Sequence, residues 1–180
     1  MLKPLLWDEA YIDKQNLTNN GQQPKTLSEQ DIAKFYLHAG HIFTSAPPYM
    51  VTTIVGSCVA VCLWDYSLRI GGINHYLLPY PYRNKESLLR FGESAIEILI
   101  EELLKLGCRK NRLQAKLFGG ASLLGMSQEN GSNIGSKNVR LAFNVLSNEG
   151  IPVVAADVEG ERGRKIIFHT GDGIAWVKQL

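Results

Sequence analysis

Residues 52–79 read TTIVGSCVAVCLWDYSLRIGGINHYLLP, and the fold turns on how they pair. Met50–Val55 and Val59–Trp64 are apolar, β-branched runs with Gly56-Ser57 between them, which reads as two strands separated by a turn. Ile73–Leu78 is a third run, entered through Gly71-Gly72, and Asp65-Tyr66-Ser67-Leu68 supplies turn residues between the second and third. Folded about Tyr66-Ser67, this hairpin sets Cys58 directly across from His75, on one face of the sheet. Direct cross-strand neighbours have Cβ atoms roughly 4.5–5.5 Å apart, close enough for a thiol and an imidazole to share a proton. A one-residue slip at the glycine pair would send the two side chains to opposite faces.

The pairing has a chemical use. A free thiol with a pKa of ~8.5 is mostly protonated at neutral pH. The thiolate is the nucleophile, and a neighbouring imidazolium stabilises it. A third group must hold the ring in its working tautomer. Thr52 is a candidate and Thr53 its rival, because the Gly-Ser break leaves strand parity unable to choose between them. The backbone N–H groups of Ser57 and Cys58 are candidate oxyanion donors. Against all this stands the ordinary role of a cysteine in an apolar strand, which is inert packing.

At 180 residues the chain fits one domain with a sizeable core. Apolar residues make up 45% and charged residues 20%, as in globular proteins. A net charge of +2 gives no electrostatic case for nucleic acid or a membrane surface. Three cysteines without framework spacing argue against a disulfide scaffold and for a reducing cytoplasm. Cys58 and Cys62 share a strand face but stand roughly 13 Å apart by strand rise, too far for a disulfide. No apolar run reaches the ~20 residues of a membrane span, and the N-terminus lacks signal-peptide character.

Residues 1–30 read as a flexible polar tail and 31–180 as a single catalytic domain. Phe35–Leu37 and His41–Thr44 are short strands. His38 and His41 flank the turn between them, without the acidic or cysteine partners of a metal site. After Pro79, Tyr80, Tyr82 and Arg83 are placed to rim a site at the end of the His75 strand. Ser87–Leu106 has helical spacing, with Ile96, Leu99, Ile100, Leu103 and Leu106 inward, and Gly107 as its C-cap. Leu113–Phe118 is a strand leading into Gly119-Gly120-Ala121, a close-packing segment beside Cys58. Ile134–Asn148 is a second helix burying Val139, Ala142, Phe143 and Leu146. Ile151–Val158 is an interior strand, and Lys165–His169 with Ile174–Lys178 forms a last hairpin. The element order gives an α/β or α+β fold with mixed sheets and outer helices.

GSCVAVCLWD followed by GGINHYLLP resembles the signature of the chemoreceptor glutamine deamidases, the CheD family. FGESAIEILIEELLKLG, AKLFGGA, IGSKN, GIPVVAADV and GRKIIF match further pieces in order, so that the resemblance covers residues 35–175. It implies a layered α/β/β/α sandwich, also seen in deamidating toxins of the cytotoxic necrotising factor type. It implies Cys58 as nucleophile and His75 as its partner. The family's threonine six positions before the cysteine matches Thr52. It implies a cytoplasmic enzyme that needs no metal or organic cofactor and converts receptor glutamines to glutamate with release of ammonia. The implied partners are cytoplasmic helices of methyl-accepting chemotaxis receptors and a CheC-type phosphatase. The alternatives are a non-catalytic regulatory module for the phosphatase or receptor, or another cysteine hydrolase such as a methylesterase or peptidase. Two departures stand out: Lys137 where the family usually has arginine, and Glu159-Gly160 where it usually has two glycines.

Overall fold

The structure is a computed structural model, and it describes residues 3–5, 32–80, 88–122 and 133–180. Ten strands form two five-stranded sheets. In chain order they are β1 (Lys3–Leu5), β2 (Ala33–Tyr36), β3 (His41–Ser45), β4 (Tyr49–Val55), β5 (Val59–Asp65), β6 (Ile70–His75), β7 (Leu113–Gly119), β8 (Val153–Val158), β9 (Arg164–His169) and β10 (Ala175–Gln179). The helices are α1 (Gly92–Lys105) and α2 (Ile134–Asn148). One sheet runs β1-β10-β9-β4-β2 and the other β3-β6-β5-β7-β8. Each is antiparallel except for one parallel pair, β2 with β4 and β7 with β8, so both are mixed.

Strand β5 is buried along almost its whole length because it is central and covered on both faces. Its odd positions, Val59, Val61 and Leu63, pack with Ile96, Leu99, Leu103 and Leu146 from the helices. Its even positions, Ala60 and Cys62, pack with Val51, Val55, Ile166 and Phe168 of the other sheet. A layered sandwich with outer helices results. Among the described residues, α1 and α2 both pack on the sheet that contains β5. The layers there run helices, inner sheet, outer sheet.

The hairpin register differs from the expected one by two residues. Cys62 faces Ile73 and Asp65 faces Ile70, and beyond the ladder Val59 bridges to Tyr76. The turn is therefore centred one residue later than Tyr66-Ser67, and Ala60 lies across from His75. The cause is Asp65, whose buried carboxylate accepts the N–H groups of Ser67 and Leu68 at 2.9 and 3.0 Å. That makes a four-residue loop ending at Arg69, which sits at φ 58°. A two-residue shift keeps every side chain on its face. Position 58 thus becomes a diagonal neighbour of His75, a relation of roughly 7–8 Å in regular strands.

Four further expectations change, one being that β8, read as an interior strand, lies at the edge of its sheet beside β7. The first helix begins at Gly92, not Ser87, because residues just before it pair with the end of β6. Leu77 and Leu78 donate to the Arg90 carbonyl, and the Gly92 N–H donates to the Leu78 carbonyl. A Cβ at Gly92 would stand 2.5 Å from Leu141 and 2.6 Å from Tyr76, so a side chain there would displace one of them. Phe143 and Leu106 are partly exposed at 39% and 37%; Leu141, Val145 and the wholly buried Asn138 complete the inner face of α2. Finally, Lys3–Leu5 is an edge strand on β10, taking backbone partners that an edge otherwise leaves open. The rest of the expected N-terminal tail lies outside the described residues.

Candidate active site

Strand β4 contributes to the layer between the sheets through alternate residues, and Val51, Thr53 and Val55 are buried while Ile54 is exposed. Thr53 therefore points inward. Its hydroxyl lies 2.8 Å from His75 Nδ1 and also donates to the Leu37 carbonyl at 2.8 Å. Thr52 faces the other side of the strand, between Tyr36 of β2 and Ile167 of β9. Thr53, not Thr52, is thus the residue that holds the histidine ring. Strand alternation decides which threonine meets the ring: Thr53 does, and Thr52, which the resemblance matched, does not.

This contact fixes a tautomer. A hydroxyl has one hydrogen, and Thr53 gives it to Leu37. Toward His75 the same oxygen can only accept, so Nδ1 carries the ring proton. Nε2 is left with a free lone pair, and among the described residues it has no hydrogen-bond partner. A buried basic nitrogen aimed away from its orienting group is the arrangement of a general base. Burial lowers the His75 pKa to about 4. Burial also pushes the Cys58 thiol above its ordinary value, against an opposing effect of its own backbone N–H. Burial thus favours the neutral thiol and the neutral imidazole over the charged forms expected from the sequence.

The turn bearing Cys58 is pinned through its carbonyls. Gly56 accepts from Ala121 N and Cys58 from Gly120 N, each at 2.8 Å. Between them, the Ser57 carbonyl accepts from Asn138 Nδ2 at 3.0 Å. The Gly119-Gly120 segment lies against this turn, as its composition implied. Gly119 sits at φ 107°, and a Cβ there would lie 2.2 Å from the Cys58 oxygen. Helix α2 closes in from the other side, where a Cβ on Gly135 would lie 2.3 Å from the Gly120 oxygen. Side chains at these glycines would push the Cys58 turn out of place.

Of the expected rim, Tyr80 is exposed and lines a shallow cleft with Pro79, Lys137, Arg140, Leu141 and Asn144. Tyr82 and Arg83 lie outside the described residues. Cys108 is buried, and its thiol is pushed up to about 11, first by burial and then by Asp65, in keeping with a structural role. Among the described residues no cluster of histidine, cysteine and carboxylate groups could hold a metal ion. Asn138 and Asn74 went unnoticed in the sequence. The available signal was a polar residue on the apolar stripe of α2, inside the IGSKN motif.

Comparison with known proteins identifies the family. Residues 77–179 match the family model described as CheD chemotactic sensory transduction. A protein of Anaeromyxobacter dehalogenans named probable chemoreceptor glutamine deamidase CheD 1 is 49% identical over 148 residues, 82% of this chain and 85% of that one. Relatives with the name probable chemoreceptor glutamine deamidase CheD occur in Sulfurimonas denitrificans, at 41% identity over 82% of this chain and 94% of theirs, and in Trichlorobacter lovleyi, at 43% over 82% and 93%. With a family model spanning more than half its length and relatives this similar over most of it, the chain belongs to the CheD family.

Proposed function

We propose that this protein hydrolyses the side-chain amide of glutamine residues in the cytoplasmic helices of methyl-accepting chemotaxis receptors. Cys58 is the nucleophile, His75 the general base and acid, and Thr53 the residue that orients the ring. The observation that carries the reading is the hydrogen-bond chain from Leu37 through Thr53 to His75 Nδ1, which leaves Nε2 unprotonated and unpartnered.

The steps follow from that tautomer. As the Cys58 sulfur attacks the carboxamide carbon, Nε2 takes the thiol proton and the carbonyl oxygen becomes an oxyanion. The backbone N–H of Cys58 faces that oxygen, with the Ser57 N–H as second donor. The imidazolium then passes its proton to the leaving nitrogen, and ammonia departs from a γ-glutamyl thioester. Neutral again, Nε2 takes a proton from water, and the hydroxide adds to the thioester carbon. The thiolate leaves and recovers the proton from His75, so that glutamate is released and the enzyme restored. Water as the second nucleophile makes the reaction a hydrolysis.

The sequence expectation that Tyr80, Tyr82 and Arg83 rim the approach to Cys58 is carried into this proposal. The resemblance further implies a CheC-type phosphatase partner and a cytoplasmic setting; no helix among the described residues is long and apolar enough to cross a membrane. The test is mass spectrometry of a chemoreceptor cytoplasmic fragment incubated with the protein or with Cys58→Ala. The expected result is an amide-to-acid shift at particular glutamines with the wild type only, and an intact backbone. A cut chain would make the protein a peptidase. An unchanged receptor, with folded protein and free Cys58, would leave a binding module.

A further inference from the structure

The Ser57–Cys58 peptide lies just past the isolated Val59–Tyr76 bridge, itself beyond the end of the β5–β6 ladder at Cys62 and Ile73. Val59 and Tyr76 exchange both backbone bonds, at 3.1 and 3.0 Å. In an antiparallel ladder the next such pair is two residues on along each strand, here Ser57 with Leu78. That pair does not form. Leu78 N donates to Arg90 and its carbonyl accepts from Gly92. The Ser57 carbonyl is taken instead by Asn138, whose Nδ2 also donates to the Leu77 carbonyl at 2.9 Å. One side-chain amide thus holds the two strand ends apart at the width of its own NH2 group. Its orientation is not in doubt, since both neighbours are carbonyl oxygens and only NH2 can donate to them.

A trans peptide is planar, and its N–H points opposite its C=O. Fixing the Ser57 carbonyl toward α2 therefore turns the Cys58 N–H away from α2. We propose, resting on the deamidase reading, that Asn138 is the positioning residue of the oxyanion site: it sets the Ser57–Cys58 peptide so that the Cys58 N–H meets the developing oxyanion. Hydrogen bonding into a carbonyl also polarises the N–H of the same peptide, strengthening it as a donor. Asn138 is itself immobilised. It is wholly buried, the Tyr76 hydroxyl donates to its backbone carbonyl at 2.7 Å, and Gly135 seats the first turn of α2 on Gly120.

Two reactions of the same thiol separate this role from others. Alkylation by iodoacetamide displaces iodide and forms no oxyanion. Acylation by p-nitrophenyl acetate passes through a tetrahedral oxyanion: His75 takes the thiol proton, sulfur bonds to the acyl carbon, and p-nitrophenolate leaves. Both are followed at Cys58 by peptide mass spectrometry, with Cys58→Ala as background. Asn138→Ala should slow acylation about 10²-fold, the usual loss for one oxyanion donor, and leave alkylation within about threefold. With a receptor fragment the same variant should lose kcat and keep KM. Asn138→Ser, which keeps a shorter donor, should recover part of the acylation rate.

Equal losses in both reactions would mean that Asn138 only positions the sulfur, and would overturn the proposal. So would no loss in either, or failure of both variants to fold, which would make Asn138 a folding residue. Because neither small reagent is a receptor, the proposal can fail while the deamidase reading stands, and the converse.

Discussion

The two ends of the β5–β6 hairpin are made of the same two strands and are finished in opposite ways. At the turn end the wholly buried Asp65 carboxylate draws the chain closed. It accepts from Ser67, Leu68 and Arg109 backbone N–H groups at 2.9, 3.0 and 3.1 Å and lies 3.6 Å from Arg112 Nε. At the Cys58 end, neutral amides keep the strands open. Asn74 Oδ1 accepts Val61 N at 2.9 Å, and Asn138 spans Ser57 and Leu77. His75 follows Asn74 directly in the chain. A charge with many donors closes a turn; amides with few contacts hold a gap. Stability is concentrated at the first end, and the proposed chemistry lies at the second.

The largest effect should come from the closed end. Asp65→Ala removes an acceptor of three N–H groups and the counter-charge of Arg112, and should cost about 3 kcal/mol. Urea denaturation checks this, and activity per folded molecule should be unchanged. A loss of specific activity matching the stability loss would show that the two ends are not independent.

The open end should show itself in pH. The His75 pKa is about 4 in the folded protein and about 6.5 in an unfolded chain. Between those values the unfolded state holds the proton that the folded state lacks. Stability therefore falls as pH drops below 6.5, by up to about 3 kcal/mol once pH 4 is passed. Unfolding of wild type and His75→Gln across that range should show a slope present in the first and reduced in the second. The acid limb of kcat/KM should likewise lie well below pH 6.5, because the neutral imidazole is the base.

A smaller effect separates the two threonines. Thr53→Val strips the acceptor from His75 Nδ1 and should lower kcat about 10- to 100-fold, as removing an orienting partner does. Thr53→Ser should restore most of it, and Thr52→Val should leave kcat within about twofold, as for surface changes away from the site. If Thr52→Val were the damaging change, the ring-holding geometry would be wrong.

These two residues also show what the sequence could and could not yield. Strands β2 to β10, both helices and the pairing of the Cys58 and His75 strands are visible in hydrophobic period and turn chemistry. The residue-level register was not, because it depends on Asp65 folding back on the turn, a contact that periodicity does not encode. Choosing Thr53 required knowing which face of β4 is inward after an irregular turn. Asn138 was hidden for a different reason. Its partners are the carbonyls of Ser57 and Leu77, distant in sequence, and a carbonyl leaves no mark in the residue code.

The smallest expected change lies behind the open end. Glu159 stands where the resemblance to the family implies glycine, and it adopts φ 63°, a left-handed conformation that costs a non-glycine residue about 1 kcal/mol. It is kept there by its N–H donating to the Gly119 carbonyl at 2.8 Å, and by Arg164 Nη2 donating to its own carbonyl at 2.7 Å. Both bonds use backbone atoms, so Glu159→Gly retains them. The relief of strain is partly offset by glycine's greater freedom when unfolded, leaving a gain of about 0.5 kcal/mol, readable as a raised urea midpoint. Gly119 and Gly120 would keep their grip on the Cys58 turn, and kcat should not move. If kcat rose or fell with this substitution, the gap at Cys58 would depend on strain stored in the β8–β9 connection, and the amides of Asn74 and Asn138 would not be enough to hold it.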